Sequence, residues 1–267
     1  MKKILLIAVL AMFGFSARAQ VHGWEKRVYE GSMILAQRNL SEEAKVFVDR
    51  FLGKSFYEDV QFIYGLEKKN KSEYSKDIHF LYLDKELRPM AHEGDDLIKG
   101  IESAVAIVRD RNGRERQEVV SALRTIINLM CDMHTIGHIR LESYPHSMED
   151  FKIYCYSGDT PKYNKRKHQV TWSRFWSIYD AWHNGMTGAM WADDYEMAYG
   201  EKAKAAAVGS LYDWAADCGK TASEIYKWAK PDYEMPRIQR NDLKDLHFEM
   251  MAKLGYRLAA MLESLAQ

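Results

Sequence analysis

The chain has 267 residues, of which 47% are hydrophobic, 28% charged and 12% aromatic. Those proportions belong to an ordinary globular protein and exclude the disordered, collagen-like and disulfide-dense classes. Basic and acidic side chains each number 38, so the formal charge is zero and no strongly basic surface is on hand to hold duplex nucleic acid by charge alone.

Lys2 and Lys3 precede a short apolar run, Ile4 to Phe15, and Ala17-Arg18-Ala19 then offers the small residues of a signal-peptidase site. The pattern predicts a cleaved signal peptide over 1–19, with cleavage before Gln20, and a single domain over 20–267 that is periplasmic or secreted. The apolar run is too short to span a bilayer, which takes about 20 residues, and no later run is longer, so no membrane insertion is expected. No Cys stands at the junction to carry a lipid. Removing Lys2, Lys3 and Arg18 leaves 35 basic against 38 acidic side chains, a net of −3. No Pro/Gly/Ser-rich linker or internal repeat divides the remainder, which favours one domain.

Ser41 is placed to cap a helix, with Glu42 and Glu43 in its positive first turn and Gly53 as its stop. Asp95 to Asp110 carries Leu97, Ile98, Ile101, Ala104, Val105 and Val108 at helical spacing and ends at Asn112-Gly113. Val119, Val120, Leu123, Ile126, Ile127 and Met130 repeat that spacing in the next helix. Phe151 to Ser157 and His168 to Trp172 are short runs with β-branched and aromatic content, which predicts a small hairpin. A last helix runs from about Asn241, with Leu243, Leu246, Met250, Met251, Leu254, Leu258, Met261, Leu262 and Leu265 turned inward. The expected class is mainly α with a small β-hairpin. Cys131, Cys155 and Cys218 allow at most one disulfide, and a buried free thiol suits Cys131 at least as well.

Polar residues inside apolar helical sequence carry the functional signal. Across Leu123 to His138, Asn128 and Asp132 lie about 40° apart around a helix and face the same way. A carboxylate among apolar neighbours is costly unless it is paired or binds metal. His134 and His138 follow at one helical turn's separation, which is also metal-ligand spacing. These residues leave two readings open: a metal site, or a salt-bridged Asp beside a surface His pair.

Further stretches fall in a recognisable order. Trp24 opens the mature region, and His79-Phe80 lies in an apolar run. Asn128, Asp132, His134 and His138 follow, then Arg174-Phe-Trp-Ser-Ile-Tyr-Asp180, Trp214-Ala-Ala-Asp-Cys218 and Gly255-Tyr-Arg-Leu-Ala259. This order resembles the trinuclear-zinc family of single-strand-specific nucleases, of the nuclease P-one type, whose fold bacterial zinc phospholipase C shares. The family shows a Trp-Gly-x-x-Gly-His start, a His-Phe pair, a His-x-x-x-Asp-x-His-Gln-Pro-Leu-His helix, Asn-Leu-His-x-x-Trp-Asp, Trp-Ala-x-Glu-Ser and Gly-x-Arg-Leu-Ala. The resemblance covers nearly all of the mature chain.

It implies metal-ligand roles for Trp24, His79, Asp132, His138 and Asp180. Three ligand positions are replaced: Tyr29, Asn128 and Trp176 each stand where the family has His. An Asp expected before His79 is missing, and Asp59 and Glu67 do not align with it. Trp24 would ligate through a free amine, which cleavage before Gln20 would convert to an amide; cleavage before Trp24 is the alternative.

The resemblance implies phosphodiester hydrolysis of single-stranded nucleic acid or nucleotides. That chemistry takes metals about 3.5–4 Å apart to activate water and stabilise the leaving oxygen. With ligands replaced, the expectation is a member whose catalysis is impaired or lost, with a binding or scaffold role left, and with fewer than three zinc ions or none. The alternative is an active endonuclease or phosphodiesterase on a rearranged one- or two-metal site, with Asp132, His138 and Asp180 holding the metal and His79 assisting. A third reading is an envelope interaction protein, its protein partner unknown. The phospholipase reading lacks a recognisable membrane-binding face. Trp172, Phe175, Trp176, Tyr179, Trp182 and Trp191 suit a helix–sheet junction more readily than base stacking. The run Lys162 to His168 reads as a solvated hairpin loop, with phosphate contact as the lesser reading.

Overall fold

Helix starts follow the capping chemistry in the sequence. The computed structural model describes residues 26–53, 56–58, 78–94, 96–156, 167–181 and 186–267. Helix α1 spans Lys26–Arg38 and α2 spans Glu42–Leu52. Ser41 caps α2 by accepting the Ala44 N–H, and Gly53 closes it, as expected. Strand β1 (Leu81–Leu83) precedes α3 (Leu97–Arg109), which opens on the Asp96 carboxylate accepting the Lys99 N–H. A single 3₁₀ turn at Arg111–Gly113 separates α3 from α4 (Arg116–Met133). Then come β2 (Ile139–Leu141), β3 (Lys152–Tyr156), β4 (Lys167–Thr171) and α5 (Trp172–Ala181). Thr187 caps α6 (Gly188–Ala205), and a reciprocal Ser210–Asp213 capping box opens α7 (Leu211–Tyr226). After β5 (Tyr233–Glu234), Pro236 leads into α8 (Arg237–Ala266), somewhat earlier than the apolar pattern alone indicates.

Helix α8 is the axis of the molecule. From Met250 to Leu262 every side chain except Ala260 is buried, the mark of a helix with neighbours on all sides. Helices α1, α2, α3, α4, α6 and α7 all pack on it. Helix α1 approaches closely, with the Ser32 hydroxyl donating to the Met251 carbonyl at 2.8 Å.

The hairpin forms where the sequence places it. Strands β3 and β4 pair antiparallel from Lys152↔Thr171 to Tyr156↔Lys167, and β5 joins β3 in parallel through Ile153↔Tyr233. A second sheet is additional to the sequence expectation: β1 and β2 pair in parallel, Leu81↔Ile139 through Leu83↔Leu141, all buried. The fold is thus mainly α with small β elements. No described helix is long and apolar enough to cross a membrane. Cys131, Cys155 and Cys218 are all buried free thiols. The expected leader, Trp24, Asp59, Glu67, Trp182 and the tip of the basic loop lie outside the described residues, as do the side chains of Tyr179 and Asp180.

One sequence expectation needs correction. Helix α4 stops at Met133, His134 is its C-cap with φ −94° and ψ 3°, and Ile136–His138 form a separate 3₁₀ turn. His134 and His138 therefore do not share a helix face, because the backbone turns out of α4 to enter β2.

Candidate functional site

Asp132 is the centre of the site. It lies on the last turn of α4 on the same side as Asn128, and both are buried, at 0% and 1% exposure. The β1–β2 pairing delivers a histidine to each side of it: His79 stands two residues before Leu81, and His138 directly before Ile139. His79 Nδ1 hydrogen-bonds Asp132 Oδ2 at 2.9 Å. His138 Nδ1 approaches Asp132 Oδ1 at the same distance, but its direction does not complete a hydrogen bond. Burial disfavours charge on Asp132, yet His138 and then His79 hold the carboxyl below the usual carboxylate range. The site is thus a buried carboxylate bridging two imidazoles.

Several buried polar atoms here lack a hydrogen-bond partner among the described residues: Asn128 Oδ1, Asp132 Oδ1, both ring nitrogens of His138, and Trp176 Nε1. The first four are oxygen and nitrogen donors of the kind a divalent cation takes. Among the described residues, however, no three His, Cys, Asp or Glu side chains are placed as a metal-holding group.

Two of the replaced positions are built into the packing. Tyr29, fully buried on α1, hydrogen-bonds the Thr135 hydroxyl at 2.6 Å. Thr135 gives its own proton to the Cys131 carbonyl at 2.9 Å, so the Tyr29 phenol is the donor. Trp176 is fully buried on α5 with its indole against Gly137, where a Cβ would lie 3.0 Å from Trp176 Cδ1. It also tilts against His247, with ring centroids 5.6 Å apart.

His134, read from the sequence as a partner of His138, has another role. Its Nδ1 donates to the Met130 carbonyl at 2.8 Å and its Nε2 accepts from Arg257 Nη1 at 3.1 Å, which uses both nitrogens. Burial, with the Arg257 charge beside it, pushes this imidazole down to about 3. Arg257 also bonds Asp217 at 2.6 Å, and Lys253 bridges Asp217 and Glu249 at 2.9 Å each. Asp217 and Arg257 belong to the Trp214–Cys218 and Gly255–Ala259 stretches singled out in the sequence, and here they meet as an ion pair. Arg257 is buried and Asp217 partly so, and a buried guanidinium would be costly without its partner, so the pair ties α7 to α8 behind the site.

A cleft of about 380 Å³ lies between α3, α7 and the end of α8, where Tyr212 donates to Glu102 at 2.8 Å. Its lining shares no residue with the Asp132 cluster. Fold and site define a mainly α protein with a buried His–Asp–His cluster. No family model matches the chain, and no curated protein matches it.

Proposed function

We propose that this chain is an exported, degenerate relative of the zinc-dependent single-strand nucleases, in which phosphodiester hydrolysis is impaired or lost and a binding or scaffold role remains. The observation that carries this reading is the fate of the replaced positions: Tyr29 is committed to Thr135, and the Trp176 indole is packed against Gly137. Neither side chain offers the imidazole nitrogen that zinc takes. The joining of Asp217 to Arg257 supports the resemblance, because it gives two otherwise unrelated stretches one structural task.

The test is elemental analysis of exported, untagged protein after zinc loading and desalting. The N-terminus is read by mass spectrometry on the same sample, and cleavage of single-stranded DNA and RNA is assayed with and without chelator. Fewer than two zinc ions per chain and no chelator-sensitive cleavage are expected. Two or more ions with cleavage would overturn the reading.

A second reading rests on the unsatisfied atoms of Asn128, Asp132 and His138. Here these residues, with His79 and Asp180, hold one divalent ion. When bound, such an ion polarises a phosphoryl oxygen or lowers the pKa of a water. Chelator-sensitive release of nucleotides with one ion per chain distinguishes it from the first.

A further inference from the structure

Beside the Asp132 cluster lies a buried cation with no carboxylate at ion-pair distance among the described residues. Arg140, the middle residue of β2, is 3% exposed. Its Nη1 donates to the Gly137 and Ile139 carbonyls at 2.8 and 3.5 Å, and its guanidinium carbon stands 4.0 Å from the centre of the Phe80 ring. The Tyr226 hydroxyl is a further polar neighbour; burial pushes that phenol up to about 12, against the pull of Arg140, so it brings no negative charge. Every one of these partners is neutral, and no carboxylate among the described residues lies at ion-pair distance from Arg140.

Arg257 shows how this fold satisfies a buried guanidinium when the role is structural. At 1% exposure it is paired with Asp217 at 2.6 Å. Arg140 has no such pair among the described residues, and a buried charge without one loses its hydration uncompensated. Beyond Nη1, only the Tyr226 hydroxyl takes a further guanidinium hydrogen bond among the described residues. Phe80 is half-buried and packs edge-to-face on His138 at 5.5 Å, so the guanidinium and the Asp132 cluster share a wall that is partly open.

We propose that Arg140, backed by the Phe80 ring, is an oxyanion receptor that takes a phosphate or carboxylate group of a small ligand beside His138. This gives the binding role proposed above a ligand class and rests on that reading. The guanidinium fork matches either group with two parallel hydrogen bonds, and among the described residues no carboxylate at ion-pair distance competes with the ligand for it.

The test uses the full exported chain, stripped with EDTA and dialysed. It is titrated with inorganic phosphate, a nucleoside monophosphate and acetate, each against sodium chloride at matched ionic strength. Thermal midpoint and tryptophan fluorescence are followed, since Trp172 donates to the Tyr226 hydroxyl at 2.8 Å and so senses the spot. A saturable response to phosphate or the nucleotide alone assigns a phosphate ester, and one to acetate alone assigns a carboxylate. No response beyond chloride overturns the proposal.

Arg140→Met should weaken binding roughly 10- to 100-fold, the worth of a charged hydrogen bond; undiminished binding in the folded variant also overturns it. Should that variant not fold, guanidinium nitrogen NMR of the wild type decides. Binding must shift the Arg140 Nε resonance, and an unmoved resonance at saturation refutes the assignment. Zinc content and cleavage judge the loss of catalysis separately, because anion binding is read here on metal-free protein.

Discussion

Asp132 keeps its charge because two histidines face it, against surroundings that oppose it. Burial alone would raise its pKa, and the contacts of His138 and His79 reverse the direction. That makes Asn128 the informative neighbour, since its buried amide oxygen is unsatisfied on the same side of α4. An amide oxygen is a weaker zinc donor than imidazole. Asn128→His would set a third imidazole beside the carboxylate, and a zinc site needs about four donors, or three and a water. The variant should retain about one more zinc per chain than the wild type after loading and desalting, by elemental analysis. Unchanged content would show that the loss of this imidazole is not what weakens the site.

Among elements, the decisive contacts are those of α8. Gly255 faces α1 so closely that an added Cβ would meet Leu35 atoms at 2.9 to 3.0 Å. Gly255→Ala should therefore overpack this crossing and cost about 1–3 kcal/mol in urea unfolding; an unchanged midpoint would mean that α1 yields freely. Behind it, Asp217 links Lys253 and Arg257 to α7. Burial works against its charge, but the two cations outweigh it and depress its pKa. The unfolded chain, with Asp near about 3.9, then takes up this proton first. The pair's contribution is fully present above about pH 4 and is lost as pH falls through the lower folded value. Asp217→Asn should be less stable at neutral pH and lose less on acidification below about pH 4, by urea midpoints across that range.

The ends of α2 and α3 and the β3–β4 hairpin were legible in the sequence because caps and short β-branched runs act locally. The β1–β2 pair was not, since two fully buried three-residue strands carry no alternation and their parallel pairing is non-local. The spacing of His134 and His138 misled for a related reason. Nothing local marks Met133 as the end of α4, and the partner that claims His134, Arg257, lies 123 residues away. Asp132 was legible as a buried carboxylate, whereas Arg140 was not, because an arginine in a short apolar stretch gives no sign that it will be buried without a carboxylate partner among the described residues.

For the whole molecule, the arrangement around α8 bears on whether the chain unfolds as one unit. Helices on opposite sides of α8 use its buried face jointly, and the Arg257 pair fastens α7 to it from within. Removing any one of them would expose apolar surface on α8 that the others cannot cover, which is the physical basis of cooperative unfolding. Buried tryptophans sample separate parts of this arrangement: Trp172 and Trp176 on α5, Trp191 on α6, and Trp214 on α7. Near-ultraviolet circular dichroism therefore reads packing around the molecule, while the far-ultraviolet signal reads the helices themselves. The two should trace one urea transition with a common midpoint. A near-ultraviolet signal lost at lower urea than the helical signal would mean that the aromatic layer around Trp176 melts independently, and that α8 does not bind the chain into a single cooperative domain.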